Sequence, residues 1–171
     1  MDLEGLSLKV SSSPHLHGRL TTSSIMFDVC IALVPAAVCG VIFFGYYAAL
    51  ILVVSVTSAV LAEEVYCMLA KKPSCMMDGS AIVTGLILGL CLPPRVPIYV
   101  PALGSIFAIM LVKQLFGGLG SNFVNPAAAG RAFLLASFPA MMTHFVAPTR
   151  AIDAVASATP LAALASGTSA P

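Results

Sequence analysis

Two adjoining apolar stretches decide the fold class, namely IMFDVCIALVPAAVCGVIFF at residues 25–44 and YYAALILVVSVTSAVLA at residues 46–62. The second stretch has 17 residues and no charged side chain. At about 1.5 Å of rise per residue, each stretch is long enough as a helix to cross most of a hydrocarbon core of ~30 Å. Only Gly45 separates them, so the sequence predicts a tight hairpin of two membrane helices.

The composition of the whole chain agrees with a membrane protein. Of its 171 residues, 59% are apolar and 9% are charged, and the mean hydropathy is +1.01. Soluble domains have roughly a quarter of their residues charged, and disordered chains combine low hydrophobicity with high net charge. The net charge of +1 also gives no reason to expect nucleic acid as a partner. The expected surroundings are therefore a lipid bilayer.

Three further apolar stretches follow, at residues 80–92, 96–112 and 126–146. The first has 13 residues and ends in Pro93-Pro94, so it is either a short span or a broken one. We predict an all-α, polytopic protein with about five membrane segments. The expected domains are a cytoplasmic segment (1–24), a transmembrane helical domain (25–146) and an external segment (147–171).

Lys and Arg in the connections set the expected orientation, because cationic loops remain on the cytoplasmic side. With the N-terminus inside, the inner connections hold six cations (Lys9, Arg19, Lys71, Lys72, Lys113, Arg131) and the outer ones two (Arg95, Arg150). Five crossings then place everything after about Ala147 on the outer face. The five cysteines show no spacing typical of metal ligation, so we expect buried thiols and no metal site.

Glycines and prolines mark two segments as candidate binding elements. In DGSAIVTGLILGLCLPP (78–94), Asp78 is the expected N-cap, and Gly85 and Gly89 share one helix face, which suits either close helix packing or a half-helix that lines a cavity. In GGLGSNFVNPAAAGR (117–131), Asn125 is the expected N-cap of a helix, with amide groups left for a ligand, or it is only a cap. Arg131 follows, placed to meet a phosphate, an acidic partner or lipid head groups.

Four carboxylates lie at or near the ends of apolar stretches: Asp28, Glu63, Glu64 and Asp78. Ionisable groups at membrane depth indicate ion pathways, here for Na⁺ or H⁺, although groups at helix ends are commonly just solvated. Beyond the last stretch comes DAVASATPL (153–161), which composition alone describes as a small, hydroxyl-bearing linker.

Four motifs in order resemble one family of membrane subunits, which includes RnfD of the Rnf electron-transport complex and NqrB of the sodium-pumping NADH:quinone reductase. They are SPHLHGRLTTSSIM (13–26), residues 78–94, GGLGSNFVNPAAAGRAF (117–133) and residues 153–161, and together they extend over nearly all of the chain. The short N-terminal region and the proline after Thr159 resemble RnfD more than NqrB.

The resemblance implies a flavoprotein in which FMN is joined through its phosphate to the hydroxyl of Thr159. Ala158 precedes this acceptor and Asp153 lies six positions upstream. Ala156 and Ser157 depart from the family pattern, in which Ser or Thr and Gly are common, so Ser157 is a rival acceptor. The attachment implies a separate flavin transferase that acts outside the cytoplasm, on the face where the orientation argument places Thr159.

The resemblance implies that the chain is a component of a redox-driven ion translocase. Together with other Rnf subunits it would relay electrons between ferredoxin and NAD⁺, and it would not be catalytically complete alone. A second, noncovalent flavin such as riboflavin is implied in the membrane region, with Asn122 and Asn125 as its candidate contacts. The expected location is the cytoplasmic membrane of a bacterium or archaeon.

The family's membrane domain resembles two related halves, and this chain is expected to be the first half and thus a fragment or truncated product. Three other interpretations stay open. The first is that the chain is a component of the quinone reductase, the second that it is half of a small-solute channel or transporter, and the third that it is an inert assembly protein.

Overall fold

The computed structural model describes residues 21–71 and 78–144, and all regular structure in these two ranges is helical. The elements are α1 (Thr22–Phe44), α2 (Tyr46–Leu69), α3 (Ser80–Cys91), α4 (Tyr99–Ile106), a π-helical segment (Phe107–Gln114), α5 (Pro126–Ser137) and α6 (Pro139–Met142). The predicted all-α fold is confirmed. The predicted external segment lies outside the described residues, and the division into three domains stays a prediction.

The α1–α2 hairpin forms as predicted around Gly45. Its backbone has φ of +83°, a conformation that favours glycine, and its amide closes α1 by donating to the Val41 carbonyl. Both helices are long and apolar enough to cross a membrane. Helix α2 continues seven residues beyond the predicted end at Ala62 and so includes Glu63 and Glu64.

The two hairpin helices have different surroundings. Helix α1 contains no buried residue, and Phe27 and Ile31 on it are 65% and 59% exposed. Helix α2 lies at the centre of the described fold and packs against α3, α4 and the π-helical segment. In a bilayer the apolar surface of α1 is available to lipid or to another subunit, whereas α2 contributes Ser55 and Glu63 to the buried polar groups of the interior.

Helix α3 lies very close to α2 because two glycines face it. A Cβ atom on Gly85 would come within 2.7 Å of the Val56 Cα, and one on Gly89 within 2.9 Å of a Leu52 methyl. Of the two interpretations of this glycine pair, close packing is confirmed at Gly85. The expected N-cap at Asp78 is wrong, because Gly79 in a left-handed conformation occupies the cap position without a side-chain bond.

Serine hydroxyls hold the three central helices together at the same level. The Ser55 hydroxyl donates to the Gly85 carbonyl at 2.8 Å, and the Ser105 hydroxyl donates to the Ser55 carbonyl at 2.9 Å. Both serines are fully buried. Hydrogen bonds of this kind between membrane helices contribute about 0.6 kcal/mol each. Their main effect is therefore to fix the register of α2, α3 and α4, and their contribution to the free energy of folding is small.

Replacing Gly85 with alanine tests the close packing of α2 and α3. The new methyl group would meet backbone atoms, so the helices must separate, and we expect a loss of about 1–3 kcal/mol of folding free energy. Gly40→Ala is the matched control, because nothing lies within 4 Å of its Cβ position and alanine favours the helix. Thermal unfolding in detergent would contradict this packing if the two variants melted at the same temperature.

The predicted last span, 126–146, is interrupted. Helix α5 ends at Ser137, and Phe138 has φ of −132° and ψ of 57°, outside the helical region. Pro139 explains the break, because proline lacks an amide hydrogen and disfavours the helical conformation in the residue before it. The preceding predicted span, 96–112, is observed as α4 and the π-helical segment, from Tyr99 to Gln114.

Candidate functional site

Four polar side chains meet in the interior and form what we call the Glu63 cluster. Its members are Glu63 of α2, Ser80 of α3, and Lys113 and Gln114 of the π-helical segment, and each is at most 4% exposed. The Lys113 ammonium donates to the Glu63 Oε1 and, at 2.6 Å, to the Ser80 Oγ. The Gln114 amide donates to the same Glu63 oxygen at 2.7 Å.

The π-helical segment explains how two consecutive residues reach one carboxylate. Its hydrogen bonds connect residues five apart, as in the bond from the Leu115 amide to the Met110 carbonyl at 3.2 Å. The wider turn reduces the angle between consecutive side chains, so Lys113 and Gln114 both point at Glu63. π-helical turns are rare and occur frequently at functional sites.

The sequence predicts one half of this ion pair and not the other. Glu63 is among the four predicted carboxylates, whereas the topology predicts Lys113 in an inner loop, which is wrong because Lys113 is buried. The available signal is a single Lys-Gln pair inside an otherwise apolar run. Asp28 lies exposed on α1 and Asp78 half-buried just before α3, both outside the Glu63 cluster, while Glu64 is half-buried on α2.

A cavity of about 400 Å³, which we call the asparagine cavity, lies beside the Glu63 cluster. Asn122 and Asn125, the two predicted flavin contacts, both line it, and so do Lys113 and Ser80. Phe123 adds an aromatic ring to its wall. The asparagine cavity and the Glu63 cluster therefore share two residues.

The two asparagines have defined bonds that leave one group free on each. The Asn125 Oδ1 accepts from the Ala127 amide at 2.9 Å, which confirms the predicted N-cap of α5. The Asn122 amide nitrogen, in the orientation that satisfies its neighbours, lies 3.2 Å from the carbonyl oxygens of Val112, Lys113 and Gly118. Among the described residues, an Asn125 amide donor and an Asn122 carbonyl acceptor remain available to a ligand.

A second cavity, of about 380 Å³, lies where the α1–α2 hairpin meets the end of α3. Its wall is mostly apolar, with Phe44, Pro93 and Met142 among its residues, and Arg131 also lines it. Arg131 is exposed, and it forms no ion pair within residues 21–71 and 78–144. Its expected partner, a phosphate, an acidic group or a lipid head group, stays a prediction.

The predicted covalent site lies outside the described residues. This applies to the acceptor Thr159, to its rival Ser157, and to Asp153 and Ala158. Of the described cysteines only Cys67 is buried, whereas Cys39 is exposed, so the expectation that all thiols are buried is wrong.

Comparison with known proteins gives consistent matches. Residues 9–170 match the model of the NQR2, RnfD, RnfE family. The RnfD component of the Na⁺-translocating ferredoxin:NAD⁺ oxidoreductase complex of Acetobacterium woodii is 50% identical over 163 residues, which are 95% of this chain and 51% of the relative. Its counterpart in the proton-translocating complex of Clostridium ljungdahlii is 46% identical over 156 residues, 91% of this chain and 47% of the relative.

A more distant relative agrees. The RnfD component of the ion-translocating oxidoreductase complex of Yersinia enterocolitica is 42% identical over 143 residues, 82% of this chain and 41% of the relative. The chain thus spans about half the length of the curated relatives it matches.

Proposed function

The chain belongs to the NQR2, RnfD, RnfE family, and from this membership we propose that it acts as a membrane subunit of a redox-driven ion translocase, an Rnf-type ferredoxin:NAD⁺ oxidoreductase. The names of its relatives support this reaction. One relative is named for Na⁺ and another for protons, so either cation suits the proposal. The chain acts with other Rnf subunits and is not catalytically complete alone.

The first flavin is FMN, attached to Thr159 through a phosphoester. The family match extends to residue 170 and so includes Thr159 and the upstream Asp153. In the attachment, the Thr159 oxygen displaces AMP from FAD, so that a phosphoester forms as the phosphoanhydride bond breaks. A threonine hydroxyl is a weak nucleophile by itself, so a separate Mg²⁺-dependent flavin transferase supplies the activation.

The second flavin is noncovalent and binds in the asparagine cavity. The observation that carries this proposal is that Asn122 and Asn125, 3 positions apart in sequence, both line one cavity of about 400 Å³ and keep one acceptor and one donor available. The pyrimidine edge of a flavin alternates acceptors and donors and matches such a pair. Bound flavin supplies electron transfer, while these residues hold and orient it.

Glu63 is the proposed cation site of the described region. Its carboxylate is buried at membrane depth, where ionisable groups indicate ion or proton pathways. Asp28, Glu64 and Asp78 remain candidates for the same pathway.

The proposed orientation keeps the N-terminus in the cytoplasm and Thr159 on the outer face of a bacterial or archaeal cytoplasmic membrane. Lys113 is buried, and Arg131 lies within α5 and lines the cavity at the hairpin end, so the cations of the inner connections number 6 − 2 = 4, against two in the outer ones. The excess still supports the N-terminus inside. An external Thr159 is accessible to a transferase that acts outside the cytoplasm.

Separating bound from released flavin tests both flavin sites in one experiment. The chain is co-expressed with the transferase and the other subunits, purified and precipitated with acid. We expect flavin in the pellet from Thr159 and flavin in the supernatant from the asparagine cavity. Wild-type protein with flavin in neither fraction would contradict the proposed function.

Asn125→Asp is the variant that isolates the cavity. Aspartate caps a helix as well as asparagine does but lacks the amide donor. We therefore expect the supernatant flavin to fall about tenfold, the equivalent of one good hydrogen bond, while the pellet flavin stays unchanged. Equal flavin in the supernatants of variant and wild type would exclude a contact between Asn125 and the flavin.

Other interpretations predict different outcomes of the same separation. A half-channel, half-transporter or inert assembly protein carries no flavin in either fraction. A component of the sodium-pumping quinone reductase carries both flavins but delivers electrons to quinone instead of NAD⁺. The electron acceptor of the purified complex separates this case from the Rnf type.

A further inference from the structure

Lys113 lies between the Glu63 carboxylate and the asparagine cavity, and its positive charge can interact with a negative charge in either place. Its ammonium donates to the Glu63 carboxylate on one side and to the Ser80 hydroxyl, at 2.6 Å, on the other. Lys113 and Ser80 line the asparagine cavity, whereas Glu63 and Gln114 are absent from its wall. One buried cation thus separates a buried carboxylate from a ligand cavity.

The negative charge of Glu63 and the positive charge of Lys113 cancel, so the Glu63 cluster and the asparagine cavity together are neutral only while the cavity holds no charged ligand. Glu63 and Lys113 are 2% exposed and form the ion pair of the Glu63 cluster, in which Ser80 and Gln114 are neutral. A negative charge in the asparagine cavity would attract the Lys113 ammonium, because Coulomb interactions are strong where water is scarce. Glu63 would then be a buried, unpaired carboxylate, which is costly, and it would need another cation.

We propose that Lys113 competes with the transported cation for Glu63, so that the ammonium and a monovalent cation occupy this carboxylate alternately. The inference rests on the proposed function, which places a flavin in the asparagine cavity and a cation at Glu63. Negative charge in the cavity draws Lys113 away from Glu63, with its bond to Ser80 kept on the side of the cavity, and so admits the cation. When that charge leaves, Lys113 returns to Glu63 and expels the cation.

The exchange is balanced in charge and breaks no covalent bond. One electron enters the asparagine cavity from an iron–sulfur or flavin donor of the complex, and one monovalent cation enters at Glu63 from water. The Glu63 carboxylate supplies the oxygen atoms at this position, and hard cations prefer oxygen. The net charge of the region is the same before and after.

Cation binding to the purified complex, in oxidised and dithionite-reduced form, tests the competition. One arm measures binding of ²²Na⁺ and the other measures proton uptake in weakly buffered solution. In one of these arms, wild-type protein is expected to bind the cation about tenfold more tightly when reduced. In the same arm Lys113→Met is expected to bind tightly in both states, because the competing ammonium is gone.

Two control variants separate competition from a general charge effect. Arg131→Met removes a cation that lines the other cavity, and it should keep the redox dependence of the wild type. Lys113→Met combined with Glu63→Gln should lose tight binding in both states, since the carboxylate is absent. Tight binding in that double variant would overturn the proposal.

Ser80→Ala addresses the case in which Lys113→Met fails to fold. This substitution keeps the ion pair but removes the hydroxyl that receives the ammonium on the side of the cavity. We expect weaker cation binding in the reduced state only. Wild-type affinity in both states would overturn the proposal.

The flavin content distinguishes failure of this inference from failure of the proposed function. Wild-type complex with flavin in neither acid fraction would remove the proposed function and the inference together, whereas flavin in the pellet alone would overturn the inference. Flavin present, with Lys113→Met retaining the redox dependence of the wild type, would overturn the inference alone.

Discussion

Replacing Thr159 with alanine is expected to remove all flavin that stays with the denatured polypeptide. Alanine has no hydroxyl, so no phosphoester can form, and the loss should be complete. The flavin released from the asparagine cavity should be unchanged, because Asn122 and Asn125 are untouched. Electron transfer from ferredoxin to NAD⁺ through the purified complex should stop, while its subunit composition should be unchanged. In-gel flavin fluorescence measures the loss of covalent flavin.

Ser157→Ala is the matched control for this prediction. It removes the rival hydroxyl two residues away and should leave the flavin on the polypeptide intact. The opposite pattern, with flavin lost from Ser157→Ala and kept on Thr159→Ala, would move the attachment to Ser157. Covalent flavin on the double variant Thr159→Ala with Ser157→Ala, which has no hydroxyl left in the segment, would contradict an attachment within residues 153–161.

The largest expected effect on stability comes from separating the buried ion pair. Lys113→Met, in a buffer with choline as the cation, is expected to lower the free energy of unfolding by about 3–5 kcal/mol. The reason is that Glu63, 2% exposed, would keep a carboxylate without a partner cation. For a chain of this size the melting temperature should fall by on the order of 10 °C in detergent.

A double-mutant cycle provides the control. Glu63→Gln combined with Lys113→Met leaves two neutral groups of similar volume, and neutral replacements of buried ion pairs are commonly tolerated. We therefore expect the double variant to melt well above Lys113→Met alone. Melting shifts that simply add would indicate that the two side chains do not interact.

The elements that the sequence predicts correctly are those set by local chemistry. The hairpin at Gly45 follows from apolar length and the conformational freedom of glycine. The start of α3 at Ser80 and its end just before Pro93 follow from hydropathy and from proline. Asn125 as the cap of α5 follows from its position immediately before Pro126.

The features that the sequence does not predict depend on contacts between distant residues. Glu63 and Lys113 are 50 positions apart, and no periodicity connects them. The shift of Lys113 and Gln114 toward one carboxylate needs the π-helical geometry, which has no clear sequence signature. The break at Phe138 is detectable, because Pro139 follows it, but the apolar run around it masks the signal.

The sequence likewise predicts some residues of the candidate site and misses others. The family resemblance of residues 117–133 implies Asn122 and Asn125 as flavin contacts, and the structure brings both to one cavity. Lys113, which joins this cavity to Glu63, is not predicted because it belongs to no recognised motif, whereas Ser80 lies in the 78–94 motif without being singled out there. A polar pair inside an apolar run is the signal that identifies such residues.

Intact-mass measurement of the chain, purified after co-expression with the transferase, tests most directly whether it is a flavin carrier. We predict a mass that exceeds that of the polypeptide by one FMN less one water, with the addition mapped to the peptide that contains Thr159. A chain of unmodified mass, obtained while the same transferase modifies a relative in parallel, would contradict this prediction.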